Sequence, residues 1–462
     1  MICKLLNYTF GFTSRFTENT RSKIRTGLYF VLFFVSLLYA ASILDGVHLL
    51  IKCVVGAGLM GLIILFTVNC TVQRVKWNKP IATMWFGMGF LQLASGFFVS
   101  QEYLPMAIIW LVAFPVLFLV WNNRRDYITL FKEIALAGNA CFLFLGVTSM
   151  LFYPMNVLQY GGFVNNPNGM GQWVTFAFPL IVFLHYQEKS NQIKKWIYRA
   201  ELALVLLLCV VSKGRTALLA VGLMLFALVV LRFVSCKNNY AYYFKRGGKF
   251  LLCTALVWAV CMTVNLIPQM AANTQPGIDM LPETPTINQT PETPTINQTP
   301  VQVPDAPQNG VSITHPSLID RILGLDKAGL SLNDYSSGRI GIWLGALRSI
   351  NYLGHPSREH IITDRNGDVG NNVHNTYLQW CYNNGLFASL LFAVMTIWAM
   401  LIFLKRALHK GNLFGINSYM LIIQLGFACT SMFASLNLPF LYLIEFLYYL
   451  SFAVLFDCNS EK

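Results

Sequence analysis

Charged residues are scarce in this chain. Asp, Glu, Lys and Arg together make up 11% of the 462 residues, whereas 55% are hydrophobic. The mean hydropathy is +0.54. A soluble domain carries about 25% charged residues, so this composition excludes an ordinary soluble protein and indicates a membrane protein.

Paired cysteines and metal-binding motifs are also missing. The 11 cysteines are scattered, mostly inside apolar runs, and the one long hydrophilic segment has only Cys381, at its edge. Such a distribution predicts neither a disulfide framework nor a zinc site. We therefore expect no metal site and no cofactor.

Basic residues are nearly absent from every second connection between the apolar runs. The short connections that are poor in Lys and Arg carry only Lys52, Lys213 and Arg215. The alternate connections, which begin with the N-terminal segment that contains Lys4, hold many basic residues. By the positive-inside rule, both termini lie in the cytoplasm and the long hydrophilic segment lies outside. Most of the net charge of +13 is then expected to face anionic lipid headgroups, and no nucleic-acid partner is needed to explain it.

The apolar runs are long enough for transmembrane helices. A bilayer core about 30 Å thick requires about 20 mainly apolar residues per helix. In lipid, backbone groups must be satisfied within the segment, so runs this apolar are predicted to be helical. The sequence predicts an all-α integral membrane protein with about twelve spans. Their centres lie near Phe34, Leu59, Met88, Leu111, Leu143, Phe178, Leu206, Leu223, Ala255, Met395, Leu425 and Leu447.

The predicted spans divide the chain into three parts. Residues 1–267 hold about nine spans, residues 268–384 form an extracytoplasmic loop, and residues 385–462 hold about three. Residues 275–309 of the loop are an insert in which Pro282–Thr290 is repeated as Pro291–Thr299. Its frequent prolines and small apolar content predict an extended, disordered flap. The functional alternative is a lid that contacts glycan, or a glycosylated stalk.

Two short helices are predicted in the rest of the loop. Ser336 and Ser337 are suitable N-terminal caps for a helix that extends to about Ile350. A second helix is expected to begin near His374 and to stop at Asn383–Gly385, where glycine permits a left-handed C-terminal residue.

Arg215 lies in a tight hairpin, Ser212–Thr216, between two apolar spans on the side that otherwise avoids basic residues. A guanidinium is suited to bidentate contact with phosphate, and it stays charged at any relevant pH. Lys213 would assist it. The alternative is that both side chains only extend from the helix end to the lipid headgroups.

Arg339 and His374 are the candidate residues of the two loop helices. Arg339 is interpreted as a second phosphate clamp, or else as a solvated charge or a cation–π partner of Trp343. His374 can take a proton from a sugar hydroxyl, because the pKa of imidazole is near neutral. The alternative is a histidine bonded to backbone at the start of a helix.

Two asparagines complete the predicted site. Asn168 belongs to Asn165–Gly169, a segment whose asparagines, proline and glycine first of all predict a turn. Its amide can also bind sugar hydroxyls. Asn375, beside His374, either orients the substrate or caps a helix.

These motifs together resemble the O-antigen ligase and polymerase superfamily. The similarity covers roughly residue 163 to the C-terminus, and the twelve-span arrangement extends it over the whole chain. The segments that carry it are Asn165–Asn168, Ser212–Arg215, Ser337–Trp343, His374–Leu378 and Gly385.

The resemblance implies a GT-C-type helical fold and an undecaprenyl-pyrophosphate-linked glycan as donor, used without a metal. It also implies that Arg215 and Arg339 hold the pyrophosphate and that His374 is the base, with Tyr377 in the same motif. Many relatives carry Glu where this chain has Asn383, so the resemblance implies no acidic partner here.

The expected reaction is inverting glycosyl transfer at the outer face of the plasma (inner) membrane. Polymerisation of a surface polysaccharide repeat unit is favoured over ligase-type transfer to a lipid A core or to a protein. The expected partners are the polyprenyl-linked donor, a glycan or lipid-linked acceptor, and membrane lipids. The rival from another class is a polysaccharide or lipid transporter, although transporters usually bury ionisable groups near the middle of the bilayer.

Overall fold

The computed structural model describes residues 2–44, 46–47, 49–68, 71–73, 75–155, 159–235, 240–274, 339–356, 362–363, 369–370, 372–409, 415–436 and 442–457. The tandem-repeat insert, 275–309, and the proposed helix caps Ser336 and Ser337 lie outside these residues. The predicted disorder of the insert and its alternative role as a lid or stalk therefore stay predictions.

The described residues are predominantly helical. The α-helices are α1 Ile2–Thr13, α2 Glu18–Ala40, α3 Leu49–Thr67, α4 Lys79–Phe98, α5 Leu104–Ile108, α6 Phe114–Arg124, α7 Tyr127–Phe152, α8 Pro167–Gln187, α9 Gln192–Val211, α10 Arg215–Ser235, α11 Tyr240–Val264, α12 Leu266–Thr274, α13 Arg339–Arg348, α14 Thr376–His409, α15 Ile416–Ser431 and α16 Leu443–Phe456. Two short strands, β1 Ile362–Thr363 and β2 Val369–Gly370, pair antiparallel.

The apolar helices are those of a helical membrane protein. Within the described residues, 7 helices are long and apolar enough to cross a membrane. They are Glu18–Ala40, Lys79–Phe98, Gln101–Arg124, Tyr127–Phe152, Arg215–Val234, Gly247–Met270 and Thr376–Leu408. Every predicted span centre lies within a helix or within the continuous Gln101–Arg124 segment, but the count of twelve spans and the extracytoplasmic loop stay predictions.

Side-chain caps explain where several helices begin. Asp126 accepts a hydrogen bond from the backbone N–H of Thr129 at the start of α7, and Asn191 does the same for Lys194 at the start of α9. Asn166 accepts from two backbone N–H groups at the start of α8. Such caps satisfy backbone donors that the first turn of a helix leaves unpaired.

The ends of the helices collect at two levels. At one level, Ser42 after α2, Asn168 in α8 and Tyr442 before α16 line one cavity. We call this level the cavity end. At the other level, Arg25 near the start of α2 pairs with Glu133 near the start of α7. We call it the opposite end.

A buried cluster of charges stabilises the opposite end. Arg25 is fully buried and makes a bidentate pair with Glu133, with N–O distances of 2.6 and 2.7 Å. Its guanidinium also donates to the Phe66 carbonyl and to Glu18, and Glu18 in turn pairs with Arg124 at 2.6 Å. The side chains of Arg25 and Arg124 are thus buried and paired with carboxylates of the protein itself, whereas the expectation that most of the net charge faces lipid headgroups stays a prediction.

An aromatic cluster packs the bundle core. Trp85 of α4 lies 4.2 Å, between ring centroids, from Trp110, and its indole N–H donates to the Trp110 carbonyl at 2.7 Å. Trp110 belongs to a π-helical turn, Ile109–Ala113, between α5 and α6. Its ring also contacts Tyr449 of α16, at 4.9 Å. The polar edge of each buried indole needs such a partner, which the widened turn supplies for Trp85.

α14 is broken near its start, at Gly385. This glycine has φ 83°, and a Cβ there would overlap the Tyr352 carbonyl, so only glycine fits. The Leu386 N–H donates to the Asn351 carbonyl at 3.0 Å, and the His355 N–H donates to the Tyr382 carbonyl at 2.9 Å. The predicted stop at Asn383–Gly385 is thus a break at which the loop after α13 inserts, and the helix then resumes.

Candidate functional site

A cavity of about 220 Å³ lies at the cavity end. It is formed by the starts of α8, α10, α13 and α14 together with the segment after α15. We call it the basic cavity. Its lining residues are Asn166, Pro167, Asn168, Gly171, Gln172, Thr175, Gly214, Thr216, Ala217, Arg339, Asn372, His374, Thr430, Phe433, Ala434, Ser435 and Tyr442.

The N-terminal ends of three helices meet at this cavity. Pro167 begins α8, and Gly214 and His374 come just before α10 and α14. The N-terminus of a helix carries about half a unit of positive charge. Convergence of several such ends favours an anionic ligand even before any side-chain charge is considered.

Arg339 and Arg215 add two formal positive charges. Arg339 lines the cavity, and Arg215 begins α10 between the two lining residues Gly214 and Thr216. Partial burial, and then the like charge of Arg215, lower the pKa of Arg339. Among the residues that the structure describes, no carboxylate lines this cavity. An anion with at least two charges would therefore relieve an existing repulsion.

His374 faces the same cavity in a constrained backbone conformation. Its φ is 53°, in the left-handed region, and its N–H donates to the Asn372 side-chain oxygen at 2.8 Å. Partial burial, and then the charge of Arg339, lower the pKa of His374. The imidazole is therefore neutral at pH 7, which is the form that can accept a proton.

Hydrogen bonds from three elements position the His374 segment. The Trp343 indole of α13 donates to the Val373 carbonyl at 3.0 Å, and the Val373 N–H donates to Gln379 of α14 at 2.8 Å. The Ser435 hydroxyl donates to Asn372 at 2.8 Å. Because Trp343 lies one turn after Arg339, the first of these bonds couples the position of the arginine to that of the histidine.

Left-handed backbone conformations at residues other than glycine concentrate here. Among the described residues they occur at Ser42, Arg125, Asn165, Lys213 and His374. All of them except Arg125 line, or directly adjoin, the basic cavity or the cavity next to it. Such conformations cost about 1–3 kcal/mol each and cluster at functional sites, where the surroundings hold them in place.

The predicted site residues divide into two groups. Asn168, Arg339 and His374 line the basic cavity, and Lys213 and Arg215 flank its α10 wall. The sequence thus placed these residues, which lie far apart in the chain, at one site.

Asn375 and Tyr377 do not line the cavity. The Asn375 amide donates to the Met432 carbonyl at 3.1 Å and accepts from the Leu378 N–H at 3.0 Å, so it caps α14 and ties it to the segment after α15. The Tyr377 ring packs on Phe392, with centroids 5.6 Å apart. Both residues are placed to shape the scaffold under His374.

Several lining residues were missed by sequence analysis. Gln172 and Thr175 follow Asn168 on α8 by four and seven residues, so the three form one stripe along the helix. A polar stripe at this spacing in an apolar helix was a detectable signal. Tyr442, in contrast, lies in an apolar segment, and nothing in its surroundings in the sequence distinguishes it.

A second cavity of about 260 Å³ adjoins the basic cavity. Asn166, Asn168, Gln172 and Tyr442 line both, so these residues form the shared wall. The far side consists of the end of α2, including Ser36 and aromatic side chains of α2 and α8. We call it the adjoining cavity. Aromatic faces with amide and hydroxyl groups are a suitable lining for a sugar.

Metal ligands are not grouped in the described parts of the chain. No three His, Cys, Asp or Glu side chains there are placed to hold a metal ion. Asn383 accepts a hydrogen bond from Gln379 at 2.9 Å and so belongs to the amide network that leads to Val373. Metal independence stays a prediction.

No family model, no curated protein and no solved structure matches the chain.

Proposed function

We propose that this protein is a membrane glycosyltransferase that polymerises undecaprenyl-pyrophosphate-linked oligosaccharide units at the outer face of the plasma membrane. The observation that carries the proposal is the basic cavity. A histidine and an arginine line it, a second arginine adjoins it, and the N-terminal ends of three helices meet there.

The basic cavity would hold the donor pyrophosphate. Arg215 and Arg339 supply two positive charges, and the N-terminal ends of α8, α10 and α14 add the positive ends of their helix dipoles. Charge on the pyrophosphate grows as it departs, so these groups bind the transition state more strongly than the ground state. The undecaprenyl chain would remain in the lipid.

His374 would act as the general base. The acceptor hydroxyl forms a bond to the anomeric carbon while the bond from that carbon to the pyrophosphate oxygen breaks. The electron pair of the broken bond stays on the pyrophosphate, and the hydroxyl proton passes to the neutral imidazole. A single in-line displacement of this kind inverts the anomeric configuration, and it needs no metal.

The adjoining cavity would receive the acceptor sugar. It shares Asn168 and Gln172 with the basic cavity, so a hydroxyl bound there can reach the anomeric carbon of a donor held beside it. In a polymerase the acceptor is a second polyprenyl-linked glycan. In a ligase it is a lipid A core or a protein, and the same cavity would bind either kind.

The basic and imidazole groups at the basic cavity, Arg215, Arg339 and His374, sit at the ends of helices rather than at their middles. This placement supports an enzyme at the membrane surface over a transporter, which requires a binding site near the bilayer midplane.

The test is an in vitro reaction with purified protein and an undecaprenyl-pyrophosphate-linked oligosaccharide. We expect lengthened glycan, and a loss of about 10²–10⁴-fold in rate for His374→Ala, since that is the usual contribution of a general base. Arg348→Ala is the matched control, because Arg348 is an exposed residue on the last turn of α13.

The outcomes separate the candidate functions. Transfer only to an added lipid A core acceptor would identify a ligase. No transfer to any glycan acceptor, or full activity of His374→Ala, would disprove the proposal.

A further inference from the structure

A third cavity, of about 400 Å³, lies at the opposite end between α8, α9, α10 and α11. We call it the lateral groove. Its lining residues are Phe178, Val182, His185, Tyr186, Arg199, Leu202, Leu206, Leu225, Leu228, Val229, Arg232, Phe233, Gly247 and Phe250.

The lateral groove has a polar rim over an apolar shaft. On each of three helices a basic or imidazole side chain marks the rim, and apolar residues follow it at spacings of three and seven toward the bundle centre. The three series are His185, Val182 and Phe178; Arg199, Leu202 and Leu206; and Arg232, Val229 and Leu225. Residues at these spacings share one helix face, and seven residues of helix extend about 10 Å.

The rim and the basic cavity lie at opposite ends of the same helices. Asn168 and His185 are seventeen residues apart on α8, and so are Arg215 and Arg232 on α10. At 1.5 Å per residue, seventeen residues extend about 26 Å, close to the ~30 Å thickness of a bilayer core. The rim is therefore at headgroup level when the basic cavity is at the other membrane surface.

The charge of the rim is positive. The Arg232 guanidinium lies 5.7 Å from the Tyr186 ring, and the Arg199 guanidinium lies 4.6 Å from the Trp196 ring, so aromatic faces support both. Among the described residues that line the groove, none is acidic. The nearby Glu201 accepts a hydrogen bond from Asn139 of α7 at 3.1 Å.

The shaft opens sideways toward the lipid. Leu225 is 40% exposed and Val229 is 57% exposed on the α10 side, although both line the groove. On the α8 side, Val182 is buried. An occupant can therefore enter from the bilayer without crossing water, and it would present apolar surface to the shaft and negative charge to the rim.

We propose that the lateral groove binds a glycerophospholipid with an anionic headgroup. Its phosphate contacts Arg199 and Arg232, and one acyl chain lies against the shaft. This site is separate from the donor site, so the proposal does not depend on which reaction the basic cavity performs. A lipid bound there links α8, α9 and α10, the first and last of which also form walls of the basic cavity.

The experiment measures lipid retention by the full chain in native mass spectrometry. Purified protein is mixed with equal amounts of phosphatidylglycerol and phosphatidylcholine. We expect at least tenfold preference for phosphatidylglycerol, because the rim arginines repel the choline cation of phosphatidylcholine, whereas phosphatidylglycerol has a net negative charge. The Arg199→Gln/Arg232→Gln variant should lose that preference. Lys194→Gln is the matched control, since Lys194 is an exposed basic residue on α9 that does not line the groove.

A second variant tests the shaft while both arginines remain. Val229→Trp fills the groove from its exposed wall, so it should displace both lipids and leave the fold intact. Equal binding of the two lipids by the wild type would overturn the proposal, as would retained preference in the double-Gln variant. Displacement of phosphatidylglycerol by an equal concentration of soluble glycerol phosphate would show a site for free phosphate instead.

Discussion

Replacement of Arg215 by Gln separates a role in donor binding from a role in folding. A guanidinium can make two charge-assisted hydrogen bonds to one phosphate, each contributing ~1.5–3 kcal/mol. Loss of both is expected to raise the barrier by about 3–6 kcal/mol, which lowers kcat/KM by about 10²–10⁴-fold. The measurement is the initial rate of glycan elongation at donor concentrations below KM.

The same substitution should not destabilise the protein without donor. Burial and then the like charge of Arg215 lower the pKa of Arg339, so the two positive charges repel each other. Removal of one charge relieves this repulsion, so the thermal unfolding temperature of the donor-free variant should equal or exceed that of the wild type. The rise in that temperature on adding donor should be lost, since the rise depends on binding to the folded state.

Arg215→Lys and Arg348→Gln complete the series. Lysine keeps the charge and loses the bidentate geometry, so a loss of about 10–10²-fold is expected, whereas the exposed Arg348 should tolerate glutamine. The reasoning fails if Arg215→Gln stays within threefold of the wild-type rate. It also fails if the variant without donor unfolds at a lower temperature, because Arg215 would then be structural.

Four further measurements test other parts of the account. Activity should be constant above neutral pH and should fall on acidification with a midpoint below 6.5. The reason is that the pKa of His374 is lowered, so its base form persists to more acidic pH. A midpoint above 6.5 would contradict this role of His374. Arg25→Gln should cost ~3–5 kcal/mol in unfolding free energy by leaving Glu133 unpaired, whereas the exposed Lys23→Gln should be neutral. Gly385→Ala should lower the unfolding temperature, because its Cβ has no space; an unchanged value would refute the docking of the loop. Deletion of one repeat, residues 282–290, should leave elongation intact, and a large loss would make the insert part of the site.

The membrane helices were predictable from the sequence because each depends mainly on its own residues. An apolar run of about 20 residues satisfies its backbone hydrogen bonds internally, whatever its neighbours are. Every predicted span centre accordingly lies in a helical segment. The N-terminal helix α1, Ile2–Thr13, was missed, because its apolar residues are spread along one stripe and form no continuous run.

The sequence indicated which residues belong to the site, but it indicated only in part which of them line the cavity. Arg215, Arg339 and His374 stood out because charged and ionisable groups are rare in this chain and hydrophilic turns are few. Asn375 and Tyr377 were assigned to the substrate because they adjoin His374 in the sequence. His374 has a left-handed backbone conformation before α14, whereas Asn375 caps that helix and Tyr377 lies in its first turn, so the three side chains face different surroundings.

The sequence by itself determined that this chain folds into apolar helices, and it singled out the few basic and imidazole groups at their ends. Only the tertiary structure decided that Arg25 and Arg124 are paired with carboxylates while Arg339 lines a cavity to which the described residues contribute no carboxylate. The physical reason is that local residues settle the backbone hydrogen bonds of a helix. The environment of a charge depends instead on which neighbouring helix reaches it, and that is a property of the packed bundle.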